Sequence, residues 1–142
     1  MGNENAKNRG AGWRVATATL LVLICGVRLI GGVAMVLRGA AVSDEVLAGD
    51  FSVRALGLLM LVIASVGVWA GIGLFSRPDR WWRLGAWATA VLWADGVLNG
   101  FVLFGAPRVG GQVLNAGVAT VLLVGLVLVG RRSRAEAAPE EA

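Results

Sequence analysis

The sequence predicts an all-α polytopic membrane protein: a four-helix transmembrane bundle with both termini in the cytoplasm. Three observations carry that expectation. The 142 residues are 57% hydrophobic and only 15% charged, where a soluble domain averages about 45–50% apolar and about 25% charged. The apolar residues form four long blocks, at about 15–37, 53–75, 84–104 and 109–129, each matching the roughly 20 residues that cross about 30 Å of hydrocarbon. The cations between these blocks are also lopsided. Lys7, Arg9, Arg14, Arg77, Arg80, Arg83, Arg131, Arg132 and Arg134 lie on the side of the termini, while Arg38, Arg54 and Arg108 lie on the other. Nine against three is the positive-inside pattern, which places the protein in the cell membrane with both ends inside.

Each element follows in order. Residues 1–12 are polar and rich in Gly and Asn, and are expected to be a disordered cytoplasmic lead before a 13–130 transmembrane domain. Trp13-Arg14 marks the membrane surface, with the indole at headgroup level. The first block is about 23 residues and contains Arg28, too long and too charged for the 7–15-residue core of a cleaved signal peptide, so it is read as a retained span. An acidic loop follows with Asp44, Glu45 and Asp50, and Asp50 and Ser52 are N-cap types for the second span. Those acids lack the spacing of a calcium loop. Ser76-Arg77-Pro78-Asp79 is a tight turn, with Pro78 ending one helix and Asp79 placed to cap the next. Trp81-Trp82-Arg83 repeats the interfacial anchor, and Gly105-Ala106-Pro107-Arg108 turns the chain on the far side. Residues 131–142 are basic, then Ala/Glu-rich with Pro139, and are expected to be a disordered cytoplasmic tail.

The residue types present exclude most chemistries. There is no histidine and no tyrosine, which removes the usual general base, the commonest zinc ligand and a phenolic acid. The lone Cys25 lies within an apolar span and is expected to be a small packing residue. No phosphate loop, nucleophilic triad or metal-ligand cluster is present, so no cofactor and no metal are expected. The net charge of +4 sits at the membrane boundaries rather than on a soluble face, and nucleic acid is not an expected partner.

Two charges remain unexplained by topology. Arg28 lies nine residues before Leu37 in span one, and Asp95 nine before Phe104 in the parallel span three. At 1.5 Å per residue both sit roughly 14 Å below the same boundary. A charge at that depth is costly and needs a partner or a water-filled cavity. Asn99 is one turn beyond Asp95 on the same face, Asn115 in span four is at about the depth of Asn99, and Gln112 lies one turn closer to the surface. Arg28, Asp95, Asn99 and Asn115 are therefore the candidate site, with three readings. They form a salt bridge with amide bonds that fixes register. Alternatively, they form a ligand cluster in which Arg28 holds an anion, or the charges face a partner subunit. The small-residue spacings Gly67-xxx-Gly71 and Gly96-xxx-Gly100 predict close helix approach, within the chain or in a homo-oligomer. Trp81 and Trp82 join Trp13 in an aromatic belt, while Trp69 and Trp93 are deeper, facing lipid or core.

The stretch from Gly71 to Gly85, GIGLFSRPDRWWRLG, resembles the central hairpin of small uncharacterised bacterial four-span proteins: a Gly-x-Gly-Leu helix end, a short basic turn, a Trp-x-Arg and the third span. With the four-span layout, the likeness covers about residues 13–130. Gly26-Val27-Arg28-Leu29 followed by Gly31 resembles the first span of the DoxX-like family, although span two has no counterpart of the acidic residue expected early in that family's second span. Neither resemblance implies an activity.

The functional expectation is a non-enzymatic integral membrane protein, an accessory or scaffold subunit with the lipid bilayer and a membrane protein or second copy as partners. The alternative is a small transporter or channel with an outward-facing polar cluster around Arg28 and Asp95.

Overall fold

The computed structural model describes residues 2–106 and 109–137. They form four helices, α1 (Gly2–Arg38), α2 (Asp50–Ser76), α3 (Pro78–Phe104) and α4 (Val109–Ala137), with a short 3-10 turn over Gly39–Val42. All four helices are long and apolar enough to cross a membrane, and no strand occurs among the described residues. The chain is a multi-pass membrane protein by these criteria. Pro107 and Arg108 of the expected far turn, and residues 138–142 with Pro139, lie outside the described residues.

The helix bounds extend beyond the expected spans. α1 begins at Gly2 and α4 continues to Ala137, through segments expected to be disordered. No proline interrupts residues 2–38 or 109–137, and adding residues to an existing helix costs far less than starting one. The expected caps differ too. The N-cap of α2 is Gly49 and that of α3 is Arg77, neither with a side-chain cap bond. Asp50 does not cap because its carboxylate is used elsewhere: Oδ1 accepts the Ala40 N–H at 3.0 Å and Oδ2 accepts Arg54 Nε at 2.8 Å. Asp79 falls one residue inside α3 because Pro78 starts the helix, where a missing N–H costs nothing.

The helices form an up-down-up-down ring. α1 packs extensively on α2, α2 on α3 and α3 on α4, while α4 closes sparsely on α1. α1 and α3 therefore face each other across a diagonal. The core along the terminal half is made of small and branched residues, including Ala18, Leu21, Cys25, Ala64, Leu74, Leu122 and Leu126. Its tightness comes from glycines. A Cβ at Gly71 would sit 2.6 Å from Val22 Cγ2 and 3.3 Å from the Ala18 carbonyl, and one at Gly67 would collide with Cys25 Sγ. The Gly67-xxx-Gly71 spacing thus serves contact between α2 and α1 of one chain, and Cys25 is the packing residue that fills the notch.

Trp81 and Trp82 depart from the aromatic-belt expectation. Both are half-buried against the core. The Trp81 ring lies where Gly73 would carry a Cβ, and the Trp82 ring where Gly130 would. The Arg83 and Arg134 guanidiniums lie 5.6 and 5.2 Å from the Trp82 ring centroid, so one indole ties α3 to the start of the α4 tail. Trp69 and Trp93 are both exposed, and Trp93 also borders a narrow space between the helices. Large apolar side chains such as Val27, Val62, Trp87 and Leu114 cover the outside, a surface that suits hydrocarbon and not water.

At the end away from the termini (the distal end), the connection between α1 and α2 folds over one corner only. Its Leu47 N–H donates to the Leu103 carbonyl at 2.7 Å, and Val42, Val46 and Ala48 pack on Met35, Val53, Met60 and Leu103. Gly105 ends α3 with a left-handed φ of 71° and donates to the Phe101 carbonyl at 3.0 Å. The loop covers the α2–α3 corner, and the opposite seam between α1 and α4 is left open.

Candidate functional site

The open seam is where the polar residues gather. Arg28 projects from α1 toward its neighbour α4, and its Nη2 donates to Asn115 Oδ1 at 2.8 Å. Asn115 Nδ2 points at the Trp93 carbonyl on α3 at 3.5 Å. On α3, Asn99 Nδ2 donates to Asp95 Oδ2 at 2.9 Å, and Gln112 Nε2 from α4 donates to the Gly96 carbonyl at 3.1 Å. Five side chains from three helices thus gather within about one helical turn of depth.

Arg28 and Asp95 share this cluster without forming an ion pair. The ion pair found among the described residues is the exposed Arg54–Asp50 contact at 2.8 Å. The cause is the ring order. Adjacent helix axes lie about 8–10 Å apart, so helices across a diagonal are roughly 11–14 Å apart by the same geometry. The guanidinium reaches the nearer amide on α4, and the carboxylate turns to its own helix. Equal depth brought the residues together; the diagonal kept them apart.

Gly96 makes this arrangement possible. A Cβ there would collide with the Asn115 amide nitrogen and sit 3.3 Å from Arg28 Nη2. The Gly96-xxx-Gly100 spacing is therefore not a helix-packing stripe alone: Gly96 leaves the room that the Arg28–Asn115 bridge occupies. Its position directly after Asp95 was the available signal. The Trp93 carbonyl, a backbone group, left none.

Polar satisfaction is incomplete in a consistent way. Asp95 is only 4% exposed, yet its Oδ1 has no hydrogen-bond partner, and neither do the buried Oδ1 of Asn99 and Oε1 of Gln112. All three are acceptors. Buried acceptors without donors are uncommon and costly. Arg28 meanwhile uses one of its five N–H donors on Asn115.

Two cavities adjoin here and share Arg28, Gly111 and Asn115. One, about 280 Å³, is the more polar of the two: Asn99, Gln112, Gly96, Gly100 and Phe104 complete its wall. The other, about 320 Å³, runs along the α1–α4 seam between Leu23, Ile24, Val27, Leu114 and Val118. A narrow space of about 20 Å³ continues beneath Arg28 toward Thr89, Leu92 and Leu122, room for about one water. Among the described residues no three His, Cys, Asp or Glu side chains come together as metal ligands. What the site offers chemically is recognition: a cationic donor with spare N–H groups on α1 beside an apolar channel. Comparison of the chain with protein-family models, with curated proteins and with solved structures gives no match.

Proposed function

We propose that the protein is a non-enzymatic binding protein of the small-transporter type, set in the cell membrane with both termini cytoplasmic, and that its ligand site is the distal cluster of Arg28, Asp95, Asn99 and Asn115. The observation that carries this reading is the open state of the two charges. A scaffold held by a closed salt bridge would leave neither with spare capacity. Here Arg28 and Asp95 form no ion pair, Asp95 Oδ1 is unpartnered, and Arg28 and Asn115 border a space that joins the α1–α4 seam. The cost of holding unpaired polar groups at this depth is the mark of a functional site.

Solvent access tests it. In a Cys25→Ala background, Asn99→Cys reacts with a water-soluble thiol reagent added to intact membranes, while Leu122→Cys, buried in the core, does not. Asn99→Cys as inert as Leu122→Cys would remove the reading. If, in addition, Arg28→Leu/Asp95→Leu is as stable as the native chain, the accessory-subunit alternative takes its place.

A further inference from the structure

We propose that the occupant of this site is a long-chain carboxylic acid taken from the bilayer, its carboxylate held on Arg28 and its hydrocarbon chain laid along the α1–α4 seam. The proposal rests on the ligand-site reading above and adds the class of ligand and its route of entry.

Charge sets the sign of the ligand. Arg28 borders the polar cavity, the apolar channel and the narrow space beneath it, and no other charged side chain lines any of the three. Asp95, the other charge in the cluster, accepts from Asn99 and lies outside all three spaces. Arg28 spends one N–H on the neutral amide of Asn115 and keeps four. Its planar fork matches the two oxygens of a carboxylate. These walls attract an anion and offer nothing charged to a cation.

Shape and opening set the rest of the molecule. The channel meets the polar cavity at Arg28, Gly111 and Asn115, and beyond that junction its walls are apolar. Val27 and Leu114 on its rim are 69% and 70% exposed, on the surface that meets lipid, so the entrant comes sideways from the bilayer. The sparse closure of α4 on α1 leaves that slot open. A slot between two helices with a cation at one end takes a single chain with an anionic head.

Depth selects the carboxyl among anionic heads. Arg28 Nη2 lies 3.3 Å from where Gly96 would carry a Cβ. Gly96 is eight residues before the end of α3 at Phe104, so the guanidinium sits about 12 Å inside the distal boundary. A phosphodiester is ionised throughout the neutral range and would carry its charge down that distance at high cost. A carboxylic acid travels as the neutral acid, and the adjacent cation favours the ionised form on arrival. Its proton passes to water in the polar cavity of about 280 Å³, which has room for several molecules.

The test is ligand retention by the purified full-length protein, measured by native mass spectrometry with hexadecanoic acid, hexadecanol, hexadecylamine and dihexadecanoyl phosphatidylglycerol. The native protein retains the acid about tenfold better than the alcohol, the amine or the phospholipid, the scale of one charge-assisted hydrogen-bond set. Arg28→Gln, which keeps an N–H for Asn115, levels acid and alcohol. Gly111→Leu lowers retention of both: Gly111 borders both cavities, and a Cβ there meets nothing within 4 Å, so the side chain fills the junction without displacing the helices. Equal retention of acid and alcohol by the native protein, or an unchanged acid preference in Arg28→Gln, would overturn the proposal. Undiminished retention of the acid by Gly111→Leu does the same, and stands even if Arg28→Gln fails to fold. Phosphatidylglycerol held as tightly as the acid overturns the choice of a carboxyl head. Reactive Asn99→Cys with no acid preference leaves a ligand site of another specificity; unreactive Asn99→Cys removes both readings together.

Discussion

Asp95 is the residue on which the site turns, and its environment makes a prediction opposite to that of a structural ion pair. A carboxylate that is 4% exposed, with one oxygen bonded to Asn99 and the other unpartnered, carries a desolvation cost that its surroundings only partly offset. Replacing it by asparagine keeps the shape and leaves an oxygen to accept from Asn99, while removing the buried charge. The ligand-free Asp95→Asn protein in detergent should therefore melt at the same temperature as the native chain or higher, by the equivalent of about 1–3 kcal/mol. A register-fixing salt bridge requires a marked loss instead, because Arg28 would be stranded. Thermal melting of the two proteins side by side decides between them. A gain in stability from removing a functional group is the usual signature of a site held in a costly state.

At the scale of the helices, glycine separates two kinds of contact that look alike in sequence. Gly67 and Gly71 on α2 lie against Cys25, Val22 and the Ala18 carbonyl of α1, where apolar association in lipid depends on close backbone approach. Gly96 on α3 lies against the polar ends of Asn115 and Arg28. Gly71→Leu should destabilise the bundle by about 1–3 kcal/mol through overpacking against a carbonyl that cannot move away. It should leave the oligomeric mass unchanged, since the contact is internal. Melting temperature together with light scattering in detergent checks both halves, and a lost dimer with an unshifted melt would return the stripe to an intermolecular role. The ends of the elements were readable where a single residue dictates them. Pro78 marked the break between α2 and α3, although it begins the second helix rather than ending the first, and Gly105 ends that helix at a left-handed φ. The caps at Asp50 and Asp79 were misjudged because capping depends on what else competes for the carboxylate, and the Ala40 N–H comes from a turn ten residues earlier.

The whole molecule shows why depth was legible and pairing was not. Depth is a one-dimensional quantity, set by counting residues from a boundary, and it brought Arg28 and Asp95 to one level with Asn99 and Asn115 about a turn beyond. Rotation about each helix axis is not written in the sequence, because these helices are apolar on nearly every side and lack a polar stripe to orient them. Neighbour order around the ring then decided that Arg28 meets Asn115 rather than Asp95. The same count that fixed depth also fixes sidedness, and this can be measured. Four spans place the 76–79 turn and both termini on one side and the 38–49 loop on the other, and the nine-to-three cation bias predicts that the first side is the cytoplasm. In a Cys25→Ala background, Asp44→Cys and Asp79→Cys, both exposed positions, should label on opposite faces. An impermeant maleimide added to intact cells modifies the cysteine at position 44 at once and the one at 79 only after the membrane is opened. Labelling at 79 in intact cells would invert the topology and carry the cluster around Arg28 to the cytoplasmic leaflet.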